Sequence, residues 1–267
     1  RTSPYGIVTA WGTNGYIGGT GNGNNQFDAP RGIADNGTHL FIADSVNNRI
    51  KKHLSSDGSY VAQLAGFNRP AGIAIDTANS KVYVANRDSH NIKVCALDLS
   101  TIQYSFGIAG SGDSEFNEPY GIAVDISYIY VCDKNNNRVQ VFNIASPFAK
   151  VGEFGLLNVE GKATGETNLF LNTSTTGVYT ASSSDKGRLV TPQSIVVYGG
   201  KVYVTDRCND RVSIFQATVP FTYVGQTGTA GTGNGQFGNI WAIDVMSNRI
   251  FVTDNDNNRI TIMQNEA

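Results

Sequence analysis

Pro119-Tyr120-Gly121-Ile122-Ala123, Ile129-Tyr130-Val131-Cys132-Asp133 and Asn137-Arg138-Val139 follow one another closely in the chain. Each segment is short, rich in β-branched and aromatic residues, and bounded by Gly, Asn or Asp, which marks it as a strand. The trio is not unique. It returns as Pro30-Arg31-Gly32-Ile33-Ala34, Leu40-Phe41-Ile42-Ala43-Asp44 and Asn48-Arg49-Ile50. It returns again as Pro70-Ala71-Gly72-Ile73-Ala74, Val82-Tyr83-Val84-Ala85-Asn86 and Asn91-Ile92-Lys93-Val94. Two further copies are Pro192-Gln193-Ser194-Ile195-Val196 with Val202-Tyr203-Val204-Thr205-Asp206 and Asp210-Arg211-Val212, and Ile240-Trp241-Ala242-Ile243-Asp244 with Ile250-Phe251-Val252-Thr253-Asp254 and Asn258-Arg259-Ile260. These are strands a, b and c of one unit.

A fourth strand, d, is expected after each c. It reads as Tyr60-Val61-Ala62-Gln63-Leu64, Thr101-Ile102-Gln103-Tyr104-Ser105-Phe106, Pro147-Phe148-Ala149-Lys150-Val151 and Pro220-Phe221-Thr222-Tyr223-Val224. Four antiparallel strands repeating at roughly 40–50 residues predict an all-β chain, a closed propeller of four-stranded blades. The composition agrees. The 267 residues include 30 glycines, and only 16% are charged, against roughly 25% in an average soluble chain. Gly, Asn and Ser serve turns and break helices.

The P-x-G-I-A opening, the V-Y-V-A/T-D strand and the following N-R-I/V resemble the NHL repeat. A glycine-rich link ending in Phe precedes three of the openings, at residues 21–27, 112–116 and 233–237. The resemblance covers nearly the whole chain and implies a single propeller domain over residues 1–267. It implies little about activity, because the family spans enzymes, RNA binders and scaffolds.

Openings fall at Pro30, Pro70, Pro119, Pro192 and Asn239. The interval between the third and fourth holds about 25 extra residues, roughly Leu156 to Asp185, whereas a blade needs about 40. The reading is five blades plus an inserted hairpin within residues 156–188; six blades, one of them degenerate, is the alternative that the family resemblance favours. Ser3-Pro4-Tyr5-Gly6-Ile7-Val8 resembles the d pattern at Ser146-Pro147-Phe148-Ala149-Lys150-Val151, and the chain stops after a c strand. The N-terminal strand is therefore expected to complete the C-terminal blade, which would remove two open sheet edges. Because the chain begins at Arg1, it is expected to be processed or part of a longer polypeptide.

Asp44/Arg49, Asp133/Arg138, Asp206/Arg211 and Asp254/Arg259 sit five residues apart across the b–c turn, with Asn86 and Asn91 in the second unit. Asp accepts backbone N–H groups and Arg forks to a carboxylate or carbonyl, so these are read as structural turn pairs. A single active site has no use for four copies. Metal-holding lyases in the resembling family place imidazoles on inner strands; His39, His53 and His90 all fall elsewhere, on surface positions. Lactonase-type propellers gather carboxylates around calcium; Asp76, Asp125 and Asp244 end a strands as turn residues, and Glu153, Glu160 and Glu166 have no calcium-loop spacing. No cofactor, metal or catalytic residue is assigned. Cys95, Cys132 and Cys208 form no CxxC pair and read as small buried or half-buried residues.

Arg31, Arg69, Arg87, Lys134 and Arg207 fall on one face, interleaved with Asp28, Asp88, Asp133 and Asp206, with Phe27 and Tyr120 as the aromatic partners. With 20 basic against 22 acidic side chains, broad phosphate neutralisation is not the design. No apolar run of about 18 residues is present to span a membrane. The leading reading is a non-catalytic interaction or structural module of an extracellular or surface protein that binds a protein or glycan partner or self-assembles. The alternatives are a lyase or lactonase with a site at the channel mouth, and an RNA-binding platform. The insert is expected on the partner face. Asn36-Gly37-Thr38 and Asn172-Thr173-Ser174 are glycosylation acceptor patterns in expected turns, and they favour an extracellular or cell-surface setting over a cytoplasmic one.

Overall fold

A computed structural model describes residues 20–156, 187–247 and 249–264. Blade 1 consists of β1 (Pro30–Asp35), β2 (His39–Asp44), β3 (Arg49–Leu54) and β4 (Tyr60–Ala65), and blade 2 of β5 (Pro70–Asp76), β6 (Lys81–Asn86), β7 (Asn91–Ala96) and β8 (Ile102–Phe106). In the next link β9 (Ile108–Ala109) and β10 (Glu115–Phe116) pair in parallel. Blade 3 follows with β11 (Pro119–Val124), β12 (Tyr128–Asp133), β13 (Arg138–Asn143) and β14 (Lys150–Phe154). Blade 4 has β15 (Pro192–Tyr198), β16 (Lys201–Asp206), β17 (Arg211–Gln216) and β18 (Tyr223–Thr227). A second parallel link pair, β19 (Thr229–Ala230) and β20 (Gln236–Phe237), leads to blade 5, which shows β21 (Ile240–Met246), β22 (Arg249–Asp254) and β23 (Arg259–Gln264) among the described residues.

The strand chemistry explains the burial. The b strands β6, β12 and β16 lie between neighbouring blades and read as continuous apolar runs, as strands covered on both faces should. Tyr83, Tyr130 and Tyr203 at their centres are fully buried. The d strand β4 instead alternates half-buried and exposed residues, as befits an outer edge with one solvated face. Every a strand slips register after its first residue, for example between Pro30 and Ile33, the mark of a bulge that bends the strand. The glycine within that bulge is a close-approach position. A Cβ on Gly32 would lie 2.2 Å from the Ala71 carbonyl oxygen of the next blade, and one on Gly72 would lie 2.3 Å from that of Tyr120.

The inner strands pack in chain order: β1 on β5, β5 on β11, β11 on β15 and β15 on β21. Apolar clusters fill each junction, such as Tyr130, Val139, Val141, Val202 and Val204 between blades 3 and 4. Blades 3 and 4 are therefore direct neighbours, and the alternative of a degenerate blade between them is set aside. Blades 1 and 5 present their outward flanks differently: Ile33, Ile260 and Ile262 are exposed.

Two expected strand starts are corrected. The d strands of blades 3 and 4 begin at Lys150 and Tyr223, not at the prolines. Phe148 and Phe221 sit in the preceding turns at positive φ and plug the junction cores from there. The N-terminal closing strand and the inserted hairpin fall on residues outside those described.

Candidate functional site

One turn is built five times at the end of the ring that carries the links and the b–c turns. In blade 3, Asp133 accepts the Asn117 N–H at 2.7 Å, the Asn136 amide, and the Arg138 Nε–H at 2.8 Å. The Arg138 Nη2 group continues to the link carbonyls of Gly112 and Glu115. Asp44 does the same with the Asp28 N–H, Asn47 and Arg49, the last at 2.6 Å. Asp206 takes the Val190 N–H, Asn209 and Arg211, and Asp254 takes the Gly238 N–H, Asn257 and Arg259. Blade 2 carries a neutral version: Asn86 accepts the Asn68 N–H and donates to Asn91. The four locks with Arg tie the preceding link to the turn beneath it, because Arg supplies several donors at fixed angles. The Asn three residues after each Asp is a member that sequence reasoning missed. Its signal was the recurring D-x-x-N spacing.

A second set of bonds clasps each blade to the next. The turn residue in the left-handed region accepts the N–H of the residue before the next a strand. Asn48 takes it from Arg69, His90 from Glu118, Asn137 from Thr191 and Asp210 from Asn239. His90 is thus a clasp, not a bare surface imidazole. The fifth such residue, Asn258, forms no matching bond to Ala29 among the described residues.

On this rigid floor stand side chains that differ from blade to blade. The second residue of strand a is Arg31, Ala71, Tyr120, Gln193 or Trp241, and the first residue after strand b is Ser45, Arg87, Lys134, Arg207 or Asn255. Arg31 donates from Nε to Ser45 and from Nη1 to the Tyr120 hydroxyl, passing the small Ala71. Its guanidinium carbon lies 5.6 Å from the Tyr120 ring centre, and Lys134 Nζ lies 5.8 Å from it. Arg207 lies 4.9 Å from the Trp241 ring and donates to Asn239. Lys134 pairs with Glu118 at 2.9 Å, which holds the Glu118 carboxyl below its ordinary value. Arg87 and Arg69 both meet Asp88. Arg31 and Arg207 meet no carboxylate among the described residues. Trp241 was missed as an aromatic of this face, although it occupies the place of Tyr120. Phe27, which was counted there, is buried beneath Lys51.

The remaining candidates are scattered. His39 opens β2 beside Thr38 of the a–b turn, at the opposite end. His53 is buried against the Gly58 carbonyl and the Phe27 and Tyr60 rings, which corrects its surface assignment. Asp76 and Asp125 cap a–b turns: Asp76 accepts from Asn79, and Asp125 accepts two backbone N–H groups and the Tyr130 hydroxyl. The Asp244 carboxylate accepts the Val245 N–H. Glu153 pairs with Arg138 and Lys150, while Glu160 and Glu166 lie outside the described residues. Among the described residues no three His, Cys, Asp or Glu gather at a metal-sized site. Cys208 is exposed, contrary to expectation, whereas Cys95 and Cys132 are buried; burial pushes the Cys95 thiol up to about 12. Asn36 is half-buried, and its amide oxygen accepts from the Thr38 N–H, the Thr38 hydroxyl and the His39 N–H. Asn172 lies outside the described residues.

The locks do not share one electrostatic state. Burial raises the Asp133 and Asp206 carboxyls above their ordinary value despite their donors. At Asp254 burial is outweighed by the Gly238 N–H, Asn257 and Arg259, and the carboxyl sits below it.

Comparison with known proteins fits this architecture. The NHL repeat family model matches residues 67–95, which span the link into blade 2 and its β5, β6 and most of β7. NHL repeat-containing protein 2 of Homo sapiens is 27% identical over 47% of this chain and 22% of its own length. The protein of the same name from Gallus gallus is 29% identical over 39% and 19%. The chain thus spans about a fifth of the length of these relatives. A chain of the nidogen/laminin complex superposes with a TM-score of 0.60 at 12% identity, covering 90% of this chain and 77% of that one. Virginiamycin B lyase from Staphylococcus aureus gives 0.56 at 13%, covering 87% and 64%. Likenesses at such identity speak for the fold alone. The chain is a β-propeller of five blades, one of which matches the NHL repeat family model.

Proposed function

We propose that the chain is an interaction module that holds a protein partner on the end of the ring bearing the links and b–c turns. One observation carries this reading. On a scaffold whose locking residues repeat in every blade, the side chains that differ, from Arg31 to Trp241, converge on that end and stand on hydrogen-bonded turns. Residues that the fold does not need in every copy are free to specify a partner, and Arg, Tyr and Trp are the types that anchor interfaces. Rigid turns reduce the ordering cost of binding. The known member of a protein complex among the structural neighbours accords with this reading without assigning a partner.

The extracellular or cell-surface setting belongs to the same proposal. Asn36 lies at the a–b end, so a glycan there would leave the partner face open. Intact mass from the natural source tests it: a mass equal to the bare polypeptide removes the glycan.

Hydrogen–deuterium exchange on the chain alone and in its native assembly tests the module reading. Slowed exchange is expected around Arg31, Arg87–His90, Lys134–Asn137, Arg207–Asp210 and Trp241. Protection confined to the a–b turns at Asn36–Thr38, Ile126–Ser127 and Gly199–Gly200, or no change at either end, overturns it.

A further inference from the structure

We infer that Asn36-Gly37 is a self-modifying site, at which the folded chain converts its own Asn36 side chain to a carboxylate with loss of ammonia. Asn-Gly pairs occur at Asn14, Asn22, Asn36 and Asn234. Among the described ones, the fold equips the pair at Asn36 for this reaction. The Gly37 N–H donates to the Asp35 carboxylate at 2.8 Å. A carboxylate on that hydrogen is a general base placed on the attacking nitrogen. The Asn36 side-chain oxygen accepts from the Thr38 N–H at 3.1 Å, the Thr38 hydroxyl at 2.9 Å and the His39 N–H at 2.8 Å. Three donors on a carbonyl oxygen stabilise the oxyanion that forms when its carbon is attacked. Gly37 is exposed at a φ of 87°, with no atom within 4 Å of the place a Cβ would take. The absent side chain leaves the nitrogen uncrowded on that side.

The step balances with the chain's own atoms and one water. The Gly37 nitrogen bonds to Asn36 Cγ and gives up its hydrogen to Asp35. The Cγ–Nδ2 bond breaks, and Nδ2 leaves as ammonia after receiving that hydrogen. Water then opens the cyclic imide at either carbonyl, which leaves an aspartate or an isoaspartate at position 36. The molecule holds a precedent for the first product. Asp125 occupies the same place in blade 3, and its carboxylate accepts the Ser127 and Tyr128 N–H groups as Asn36 accepts those of Thr38 and His39. In both turns the backbone N–H of that residue donates to the carbonyl three positions on. An aspartate at position 36 therefore keeps the turn, whereas an isoaspartate, with one more backbone atom, does not. Blade 3 has Val124 where blade 1 has Asp35, so the turn itself does not need that carboxylate. The link pairs lack the equipment. The Gly23 N–H goes to the neutral Gln26 amide oxygen, and neither Asn22 nor Asn234 accepts a hydrogen bond at its side chain among the described residues. The reaction removes the nitrogen to which a glycan would be joined, so a glycosylated Asn36 is spared. It stands apart from the partner reading, which concerns the other end of the ring.

The test uses the 267-residue chain made in a bacterial host that adds no sugar at Asn36. Peptide mapping follows the conversion of Asn22, Asn36 and Asn234 in neutral buffer, with the chain folded and with the chain unfolded in urea. In the folded chain Asn36 is expected to convert about tenfold or more faster than Asn22 and Asn234, and in urea the three rates are expected to agree within about threefold. Asp35→Val, which installs the residue of blade 3, is expected to slow the folded conversion of Asn36 about tenfold. Asp35→Ser replaces it if the valine variant melts early. If Asn36 converts no faster than Asn22 and Asn234 in the folded chain, the turn bonds guard the amide and the inference falls. If Asn36 is faster but the Asp35 variant keeps the parent's rate and melting temperature, Asp35 is not the base and the inference falls equally.

Discussion

Blades 4 and 5 follow the same residue pattern and are buried differently. Both carry the b strand with an aromatic centre, the D-x-x-N-x-R lock and an apolar c strand. Val212 is fully buried between blades 4 and 5, but its counterpart Ile260 faces outward. Arg211 keeps 8% of its side-chain surface exposed, and Arg259 keeps 32%. The lesson is that the repeat specifies two apolar faces, and the neighbouring blade supplies the burial. A repeat array behaves in this way because each unit touches only its neighbours.

The largest expected difference between the two blades comes from placing a charge on the shared position. Val212→Asp buries an unpaired carboxylate and is expected to cost about 4 kcal/mol or more, enough to abolish a cooperative melt. Ile260→Asp in the same 267-residue chain is expected to stay within about 0.5 kcal/mol. Equal losses in a denaturant titration would mean that the two flanks are equally covered.

The turn locks give the next contrast. Arg138→Ala leaves the buried Asp133 carboxylate without its Nε donor and strips two link carbonyls; a loss of about 3 kcal/mol is expected. Arg259→Ala is expected to cost about 1 kcal/mol, since the Arg259 side chain is itself partly open to water, which can replace it beside Asp254. If Arg138→Ala removed partner binding while leaving the melting temperature intact, the lock would be a binding element and not a structural one.

Acid separates the blades with a smaller effect. The Asp254 carboxyl lies below its ordinary value, so its contribution is complete above the unfolded value of about 4 and is lost as pH falls through the lower folded value. Asp133 is raised by burial, so protonation favours its folded state and the sign is reversed. Asp254→Asn is therefore expected to flatten the acid limb of the melting temperature below about pH 4. An unaltered acid limb would place the titrating group elsewhere.

The smallest effect is expected at a clasp. His90→Asn installs the residue found at Asn48 and Asn137, with an amide oxygen where the imidazole nitrogen accepts the Glu118 N–H. Asn also tolerates the left-handed backbone of that position. Stability within about 0.5 kcal/mol of the parent is expected by thermal melting; a large loss would show that the ring packs as well as accepts.

The blade pattern was legible because strands covered on both faces leave continuous apolar triplets, and because Asp, Asn and Gly fix turns at constant spacing. The Asp–Arg spacing pointed to the lock, but its Asn member was hidden by the abundance of Asn in the chain. Phe148 and Phe221 looked like strand residues because apolar aromatics beside proline resemble an edge strand; they enter the core from turns instead. Trp241 was overlooked because its opening lacks the proline that flags the others. No sequence rule could show the open flanks, since Ile33 and Ile260 are the same residue types that fill the closed junctions.

The claim that a blade is stabilised by its neighbour is tested most directly by hydrogen exchange of the c strands in the 267-residue chain. The backbone amides of Arg138–Asn143 and Arg211–Gln216 are expected to exchange only on global unfolding, and those of Arg259–Gln264 much faster, through local opening. Equal protection of all three strands would contradict the account.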